Sequence, residues 1–401
     1  MYLPDRIIVA PSGFKESLDA IEVADAIAAG VRRALPGVHV STLPVPDGGE
    51  GTVSILAATT GGVTTETVVT GPVGLPVTAT WVMLGGSGPR TAVIEMAAAA
   101  GLSLVPHDLR DPGETTTRGV GELIAAALDA GADRIVVGCG DSGTCDGGVG
   151  ALAALGALIL DDEVLPDGGR HLHRVSRVDL SGLHPRLSEV PVELACNATN
   201  VLCGPRGVAR VFGPQKGATP HQVSHLERGL ERWADVLRRD GVGAPGGLDL
   251  RTGAGTGASG GLGAGLAGGI GAVLRSRFDA LLTPDLLGAD LDAEIAAADL
   301  VITAEGAIDF QTPRGKVPAE VARRAGLAGV PVMAIAGSLG RGAPDVHDIG
   351  IGAVTSIMAV PMPLADAVAQ GRRLLVEATE RSMRMLQLGA AVSRRAGDRV
   401  A

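Results

Sequence analysis

Short β-branched runs alternate along the chain with amphipathic stretches, and glycine-rich polar turns punctuate them. Arg6–Ala10 (RIIVA) is an apolar run of the kind buried in a parallel sheet. The next segment sets Leu18, Ile21, Ala24, Ala28, Val31 and Leu35 on one helical stripe and stops at Pro36-Gly37. Val38–Leu43 predicts another strand. From about Thr64 three strand-like runs, TTETVVTGP, PVTATWVML and RTAVIEMA, follow one another with Gly/Pro turns and no helix between them. That pattern predicts antiparallel pairing in a second domain. The α/β rhythm returns with a helix over Val120–Ala130, closed by Gly131, a strand over Arg134–Val137, and the helix-like VGALAALGALIL from Val149. The last third predicts a strand at Leu300–Thr303, a helix at Pro318–Ala325, and strands at Pro331–Ala336 and Val354–Val360. A long amphipathic helix follows from Leu364 to about Leu388.

The expected architecture is α/β with two domains. A Rossmann-like parallel-sheet domain, discontinuous over 1–62 and 287–401, carries an inserted mixed α/β domain over 63–286. A length of 401 residues agrees with two domains of ordinary size.

Composition narrows the function. The formal net charge is −10 and no basic run exceeds an Arg-Arg pair, so no nucleic-acid surface is expected. MYLPDRIIVAPSGF lacks the basic start of a signal peptide, and the most lipid-like stretch, GGLGAGLAGGIGAVLRS, is too short and glycine-rich for a membrane span. Cys139, Cys145, Cys196 and Cys203 have no zinc-ligand spacing and read as reduced thiols of a cytoplasmic enzyme.

The 60 glycines concentrate the chemistry. Seven glycine-rich polar segments follow strand-like runs, at the strand ends where open parallel sheets bind ligands. They are PSGFKES (11–17), PDGGEGT (46–52), GCGDSGTCDGG (138–148), ACNATNVLCGPRG (195–207), FGPQKGA (212–218), GAGTGASGG (253–261) and AEGAIDFQTPRGK (304–316). Phe14, Phe212 and Phe310 fall inside them, as pocket walls or as loop anchors. Carboxylates recur with lysine and arginine in these turns, which suits phosphoryl transfer: acidic oxygens for Mg²⁺, cations for moving charge, amides for phosphates. Gly138, Gly140 and Gly143 also spell G-x-G-x-x-G, with Asp161 about twenty residues on. That leaves an NAD(P)-dependent oxidoreductase as the alternative, and a non-enzymatic anion-binding protein as a third reading. Walker A is absent, and the G-x-S-x-G at Gly257–Gly261 has no strand-like run leading into it, as a nucleophile elbow requires.

In order, the seven segments resemble those of the glycerate kinase family of the bacterial glycerate-2-kinase type, over residues 7 to about 385. FGPQKGA and EGAIDFQTPRGK carry the most specific match, to F-G-P-Q-K-G and E-G-R-x-D-x-Q-T-x-x-G-K. The resemblance implies an ATP- and Mg²⁺-dependent kinase that phosphorylates a hydroxyl of D-glycerate, to 2-phosphoglycerate, or of a related small hydroxy acid. Its active site would lie in the cleft between the domains, and a homodimer is compatible with it. Lys15, Asp47, Glu50, Ser142, Asp146, Asn200, Lys216, Glu305, Asp309, Gln311 and Lys316 stand at matching positions. The implied catalytic residues are Lys15, Asp47 and Asp309, one aspartate orienting or deprotonating the acceptor hydroxyl. Ser12, Asn197, Asn200, Arg206, Gln311 and Lys316 are expected to bind the acceptor. Ser142, Thr144, Lys216, Gly257 and Gly260 are expected at the nucleotide, and Glu50, Asp146 and Glu305 at the metal. Ser12-Gly13, Asp141, Cys145, Asn197 and Ala307 depart from the family pattern, where Asp-Ser, Gly, Asn, Asp and Arg stand.

Overall fold

A computed structural model describes residues 3–397. The chain forms two compact units, one made of the residues up to Asp47 together with those from Ala289 onward, the other of Gly48–Gly288. Each unit has its own sheet and its own core, as an α/β protein with an insertion requires.

In the discontinuous unit five parallel strands run in the order Ile351–Ser356, Val332–Leu339, Leu300–Ile308, Arg6–Val9, His39–Thr42. Ile7 pairs with Leu300 on one side and Val40 on the other. Side chains alternate along a strand, so Ile7 and Val9 share one apolar core with Ile302, Ala304 and Ile335. Helix Ala20–Ala34 and helix Gly371–Gly397 complete that core. The first of these starts on a capping box between Asp19 and Glu22 and ends at Leu35, before Pro36. A Cβ on Gly30 would lie 2.6 Å from Cβ of Thr379, so glycine lets the two helices touch.

In the continuous unit six strands run in the order Val273–Ser276, Val192–Cys196, Arg134–Gly138, Thr91–Glu95, Pro76–Met83, Val63–Thr70. The first four are mutually parallel, and the last two join antiparallel as a hairpin. The expected antiparallel runs are therefore present, and they extend a parallel sheet. Helix Arg118–Asp129 makes the crossover between Thr91–Glu95 and Arg134–Gly138 and buries Val120, Leu123, Ile124, Ala127 and Leu128.

Several elements differ from the reading of the sequence. Helix Thr52–Thr60 was not expected: it has no polar stripe to reveal a helical period, and it starts on Gly51 at φ +93° without a side-chain cap. It packs in the continuous unit, where its Val53 amide donates to Glu95 Oε1 at 2.6 Å. The change of rhythm seen near residue 63 is thus preceded by the contact boundary at Asp47–Gly48. VGALAALGALIL is not one helix. Helix Val149–Ala154 gives way at Gly156 (φ +105°) to strand Leu158–Leu160, which pairs with Arg177–Asp179. The final helix divides into Leu364–Ala369 and Gly371–Gly397, and the strand expected at 354–360 spans Ile351–Ser356.

Candidate functional site

In the discontinuous unit, strand Arg6–Val9 leads to its neighbour on one side and strand Leu300–Ile308 to its neighbour on the other. Where connections diverge in an open parallel sheet, a crevice opens at the carboxyl ends of the two strands. Two of the candidate segments form its lips. The Ala10 amide donates to the Ile302 carbonyl at 2.8 Å and the Ser12 amide to Ala304 at 2.9 Å, so the loop stays fastened to the adjacent strand past the sheet's edge. Ser12 Oγ adds a bond to the same Ala304 oxygen at 3.2 Å. Lys15 follows, exposed, where the loop crosses Gly306: a Cβ there would stand 3.4 Å from Cα of Phe14. The Val45 amide donates to the Pro11 carbonyl at 2.9 Å, which brings half-buried Asp47 to the same end of the sheet.

The other lip is the segment 304–316. Lys316 Nζ lies 2.9 Å from Glu305 Oε1, and Thr312 Oγ1 donates to Glu305 Oε2 at 3.1 Å. Burial pushes the Glu305 carboxyl up, against the opposing pull of Lys316. Asp309 directly follows the strand; its Oδ1 accepts from the Gln311 amide at 2.8 Å, and its own amide donates to Thr312 Oγ1 at 3.2 Å. Gly315 at φ +93° turns the chain so that Lys316 precedes helix Val317–Ala328.

The continuous unit gathers the remaining segments at the carboxyl ends of its own parallel strands. Gly48 lies over the ends of two of them: a Cβ on Gly138 would stand 2.6 Å from the Gly48 carbonyl, and one on Gly48 3.2 Å from that of Ala195. Lys216, 3% exposed, donates to Ser142 Oγ at 2.8 Å and to the Thr144 carbonyl at 2.7 Å. Burial lowers its pKa to about 8. Thr144 Oγ1 is buried with no hydrogen-bond partner. Asn197 Oδ1 accepts from the Thr199 amide and hydroxyl at 3.0 and 2.8 Å, and the Gly257 amide donates to the Asn200 carbonyl at 3.1 Å. Glu50 and Arg206 are exposed on their turns.

The expected site residues therefore fall into two sets. Ser12, Lys15, Asp47, Glu305, Asp309, Gln311 and Lys316 belong to the discontinuous unit, and the others to the continuous one. Among the described residues only Glu16, Asp141 and Ser259 have a positive φ without being glycine, at 66°, 49° and 51°. All three sit inside candidate segments, as expected where backbone strain is held for a purpose. Ser259 is the serine of the G-x-S-x-G at Gly257–Gly261, and its backbone strain is visible only in the fold.

Four expectations change. Asp146 is fully buried and accepts from the Thr117 amide and hydroxyl, the Gly148 amide and the Gly150 amide, at 2.8 to 3.2 Å. Burial raises its carboxyl pKa despite those bonds. Its oxygens are taken up in holding the turn, where a metal ligand was expected. Gly257 and Gly260 serve close packing: a Cβ would stand 2.1 Å from the Val201 carbonyl and 2.0 Å from that of Thr144. Ser259, Gly260 and Gly261 are also non-helical, so no helix N-terminus faces outward there. The dinucleotide reading loses its support as well. Gly138 and Gly140 make room for Gly48 and Gly49, the next helix begins only at Val149, and Asp161 pairs with Arg174 at 3.2 Å beside the two-stranded ribbon. Of the three phenylalanines, Phe14 is a core anchor, Phe212 is packed against the core, and only Phe310 is exposed.

Among the described residues no three His, Cys, Asp or Glu converge as a metal cage. Mg²⁺ commonly takes one or two carboxylates and fills its shell with water and phosphate oxygens, so separate carboxylates fit that ion. The four cysteines are buried free thiols, and burial pushes Cys145 and Cys196 up to about 11. No helix among the described residues is long and apolar enough to cross a membrane.

A family model for the glycerate kinase family matches residues 7–387. The chain is 47% identical over 365 residues to the glycerate kinase of Bacillus subtilis (strain 168), covering 90% of this chain and 92% of that one. It is 43% identical over 355 residues to the glycerate 2-kinase of Escherichia coli (strain K12), covering 88% and 90%. A solved structure from Salmonella typhimurium LT2, assigned as a glycerate kinase 2, superposes with a TM-score of 0.80 at 42% identity over 96% of this chain and 99% of that one. Fold and likeness define a phosphotransferase with an alcohol group as acceptor. The chain belongs to the glycerate kinase family.

Proposed function

We propose that this enzyme transfers the γ-phosphoryl group of ATP to a hydroxyl of D-glycerate, giving 2-phosphoglycerate. The observation that carries the reading is the pair of lips at the switch point, Ser12–Lys15 on one side and Glu305–Lys316 on the other. They put Asp309, Lys15 and Lys316 at one end of a parallel sheet, to which Asp47 is also brought. The names of the relatives, glycerate kinase and glycerate 2-kinase, support the acceptor and the position phosphorylated.

Phosphoryl transfer asks the protein to position and to neutralise charge. Asp309, fixed by the Gln311 amide, orients or takes the proton of the acceptor hydroxyl, with Asp47 as the other carboxylate at that edge. Lys15 meets negative oxygens from the exposed lip. Ser12, Gln311 and Lys316, with Asn197, Asn200 and Arg206, bind the acid. Lys216, Ser142 and Thr144 form the nucleotide-facing group, where Lys216 supplies charge and keeps the turn shut on itself. Mg²⁺ supplies charge neutralisation between phosphates when bound; Glu50, exposed, and Glu305, once released from Lys316, are the carboxylates suited to hold it.

The test is ADP formation by the purified protein with D-glycerate, ATP and Mg²⁺, with the product identified by ³¹P NMR. 2-Phosphoglycerate supports the proposal. ADP formation only with another hydroxy acid keeps the kinase and replaces the acceptor, and no ADP with any small hydroxy acid overturns the reading.

A further inference from the structure

Phe310 is the one exposed phenylalanine or tryptophan among the described residues, with 45% of its surface open. It is not loosely held. Its amide donates to the Arg341 carbonyl at 2.9 Å, and Gly342 at φ +80° lies so close that a Cβ there would stand 2.9 Å from Cβ of Phe310. The guanidinium of Arg314 stands over this ring, 5.5 Å from its centroid. Arg314 is exposed and has no carboxylate partner among the described residues, whereas Lys316, two residues on, is already matched by Glu305. The turn Thr312–Arg314 that carries it begins three residues after Asp309, whose carbonyl accepts from the Thr312 amide at 3.0 Å.

An arginine laid on a ring keeps its fork of N–H groups oriented and uncommitted, which suits a planar or bidentate oxyanion. In a chain of net charge −10 the overall field does not supply that attraction; a local group must. The same strand has Ala307 where the family pattern has arginine, so the position that would otherwise carry a guanidinium is empty of one.

We infer that Arg314, stacked on Phe310, is the oxyanion-recognition group of this lip, with Phe310 as its positioning residue. The anion is the carboxylate of the hydroxy acid or a phosphate group of the nucleotide, which share this chemistry. The inference rests on the kinase reading, and its test separates the two.

Steady-state kinetics of R314A, R314K and F310L, with acid and ATP varied separately, identify the anion. R314A is expected to raise the KM of one substrate about ten- to hundredfold, the value of a charge-assisted hydrogen-bonded contact. A change in KM for the acid assigns the carboxylate, and one for ATP assigns a phosphate. R314K restores little, since an ammonium neither forks nor stacks in the same way. F310L raises the same KM by a smaller factor and leaves the melting temperature near that of the parent. Both KM values unchanged in R314A, or full rescue by R314K, overturn the inference. A parent protein without turnover counts against the kinase reading alone. Calorimetric titration with inorganic phosphate and with D-glycerate then decides: binding to the parent but not to R314A supports the site, and equal binding, or none to either, overturns it.

Discussion

Lys216 and Ser142, 74 residues apart in the chain, are joined by a 2.8 Å hydrogen bond inside the protein. The ammonium is buried, and folding lowers its pKa from the ordinary 10.5 to about 8. Activity that needs the charged lysine is expected to fall as pH rises through about 8. Stability moves the other way. Between about 8 and 10.5 the unfolded chain holds the proton and the folded chain does not, so this group adds stability as pH rises across that window and contributes no slope below it. Comparing melting temperature and kcat/KM of the parent and K216M from pH 7 to 10 checks both signs; parallel profiles would refute them.

Asp146→Asn turns one of two accepting oxygens into a donor that faces backbone or hydroxyl donors. The expected cost is roughly 2–4 kcal/mol, more than one neutral hydrogen bond because the group is fully buried. Urea unfolding measures it. The Mg²⁺ concentration for half-maximal activity should stay within about twofold, because this carboxylate supports the turn and not the metal. A large shift in Mg²⁺ demand with unchanged stability would reverse that assignment.

Asp309→Asn keeps an oxygen for the Gln311 amide, so the lip should hold its shape. Turnover is expected to drop by about 10²–10⁴ as proton acceptance is lost. Near-parent kcat in a folded variant would remove Asp309 from the chemistry.

Gly260→Ala sets a Cβ at 2.0 Å from the Thr144 carbonyl at φ +73°, whereas Gly246→Ala, at φ +66°, meets nothing within 4 Å. The second should cost about 1 kcal/mol and the first clearly more, roughly 3 or above. Chemical denaturation of both variants separates backbone strain from close approach. Equal losses would mean that the contact with the turn carries no weight.

The strands that border glycine turns were legible because β-branched runs and alternation report burial directly, as at Arg6–Val9 and Arg134–Gly138. Helix Thr52–Thr60 was hidden by its composition, since its alanines and threonines contrast too weakly with its apolar residues to draw a stripe. The site was legible in its parts, although two of the seven segments do not follow strands: 212–218 begins at the end of helix Val208–Phe212, and 253–261 runs into helix Ala258–Ile270. Individual roles were less so. An aspartate in a glycine turn reads the same whether it faces outward or, like Asp146, is ringed by four donors. The glycines of Gly138–Gly143 spelled a ligand motif while serving backbone packing, Gly138 and Gly140 against Gly48 and Gly49 and Gly143 against Gly101 and Leu102, a distinction that only the third dimension makes. The strain at Ser259 shows only in its backbone angles.

The pairing of Ile7 with Leu300 sets an order of events during synthesis. The strand Arg6–Val9 leaves the ribosome first, yet its neighbour Leu300–Ile308 follows only after the whole of Gly48–Gly288, a wait on the order of 15–60 s at ordinary elongation rates. The inserted unit has every one of its strands in hand by then. A nascent chain therefore carries one lobe with all its strands and, in Arg6–Val9, an apolar strand still waiting for one neighbour, and it is in that interval that a chaperone would find the most to hold.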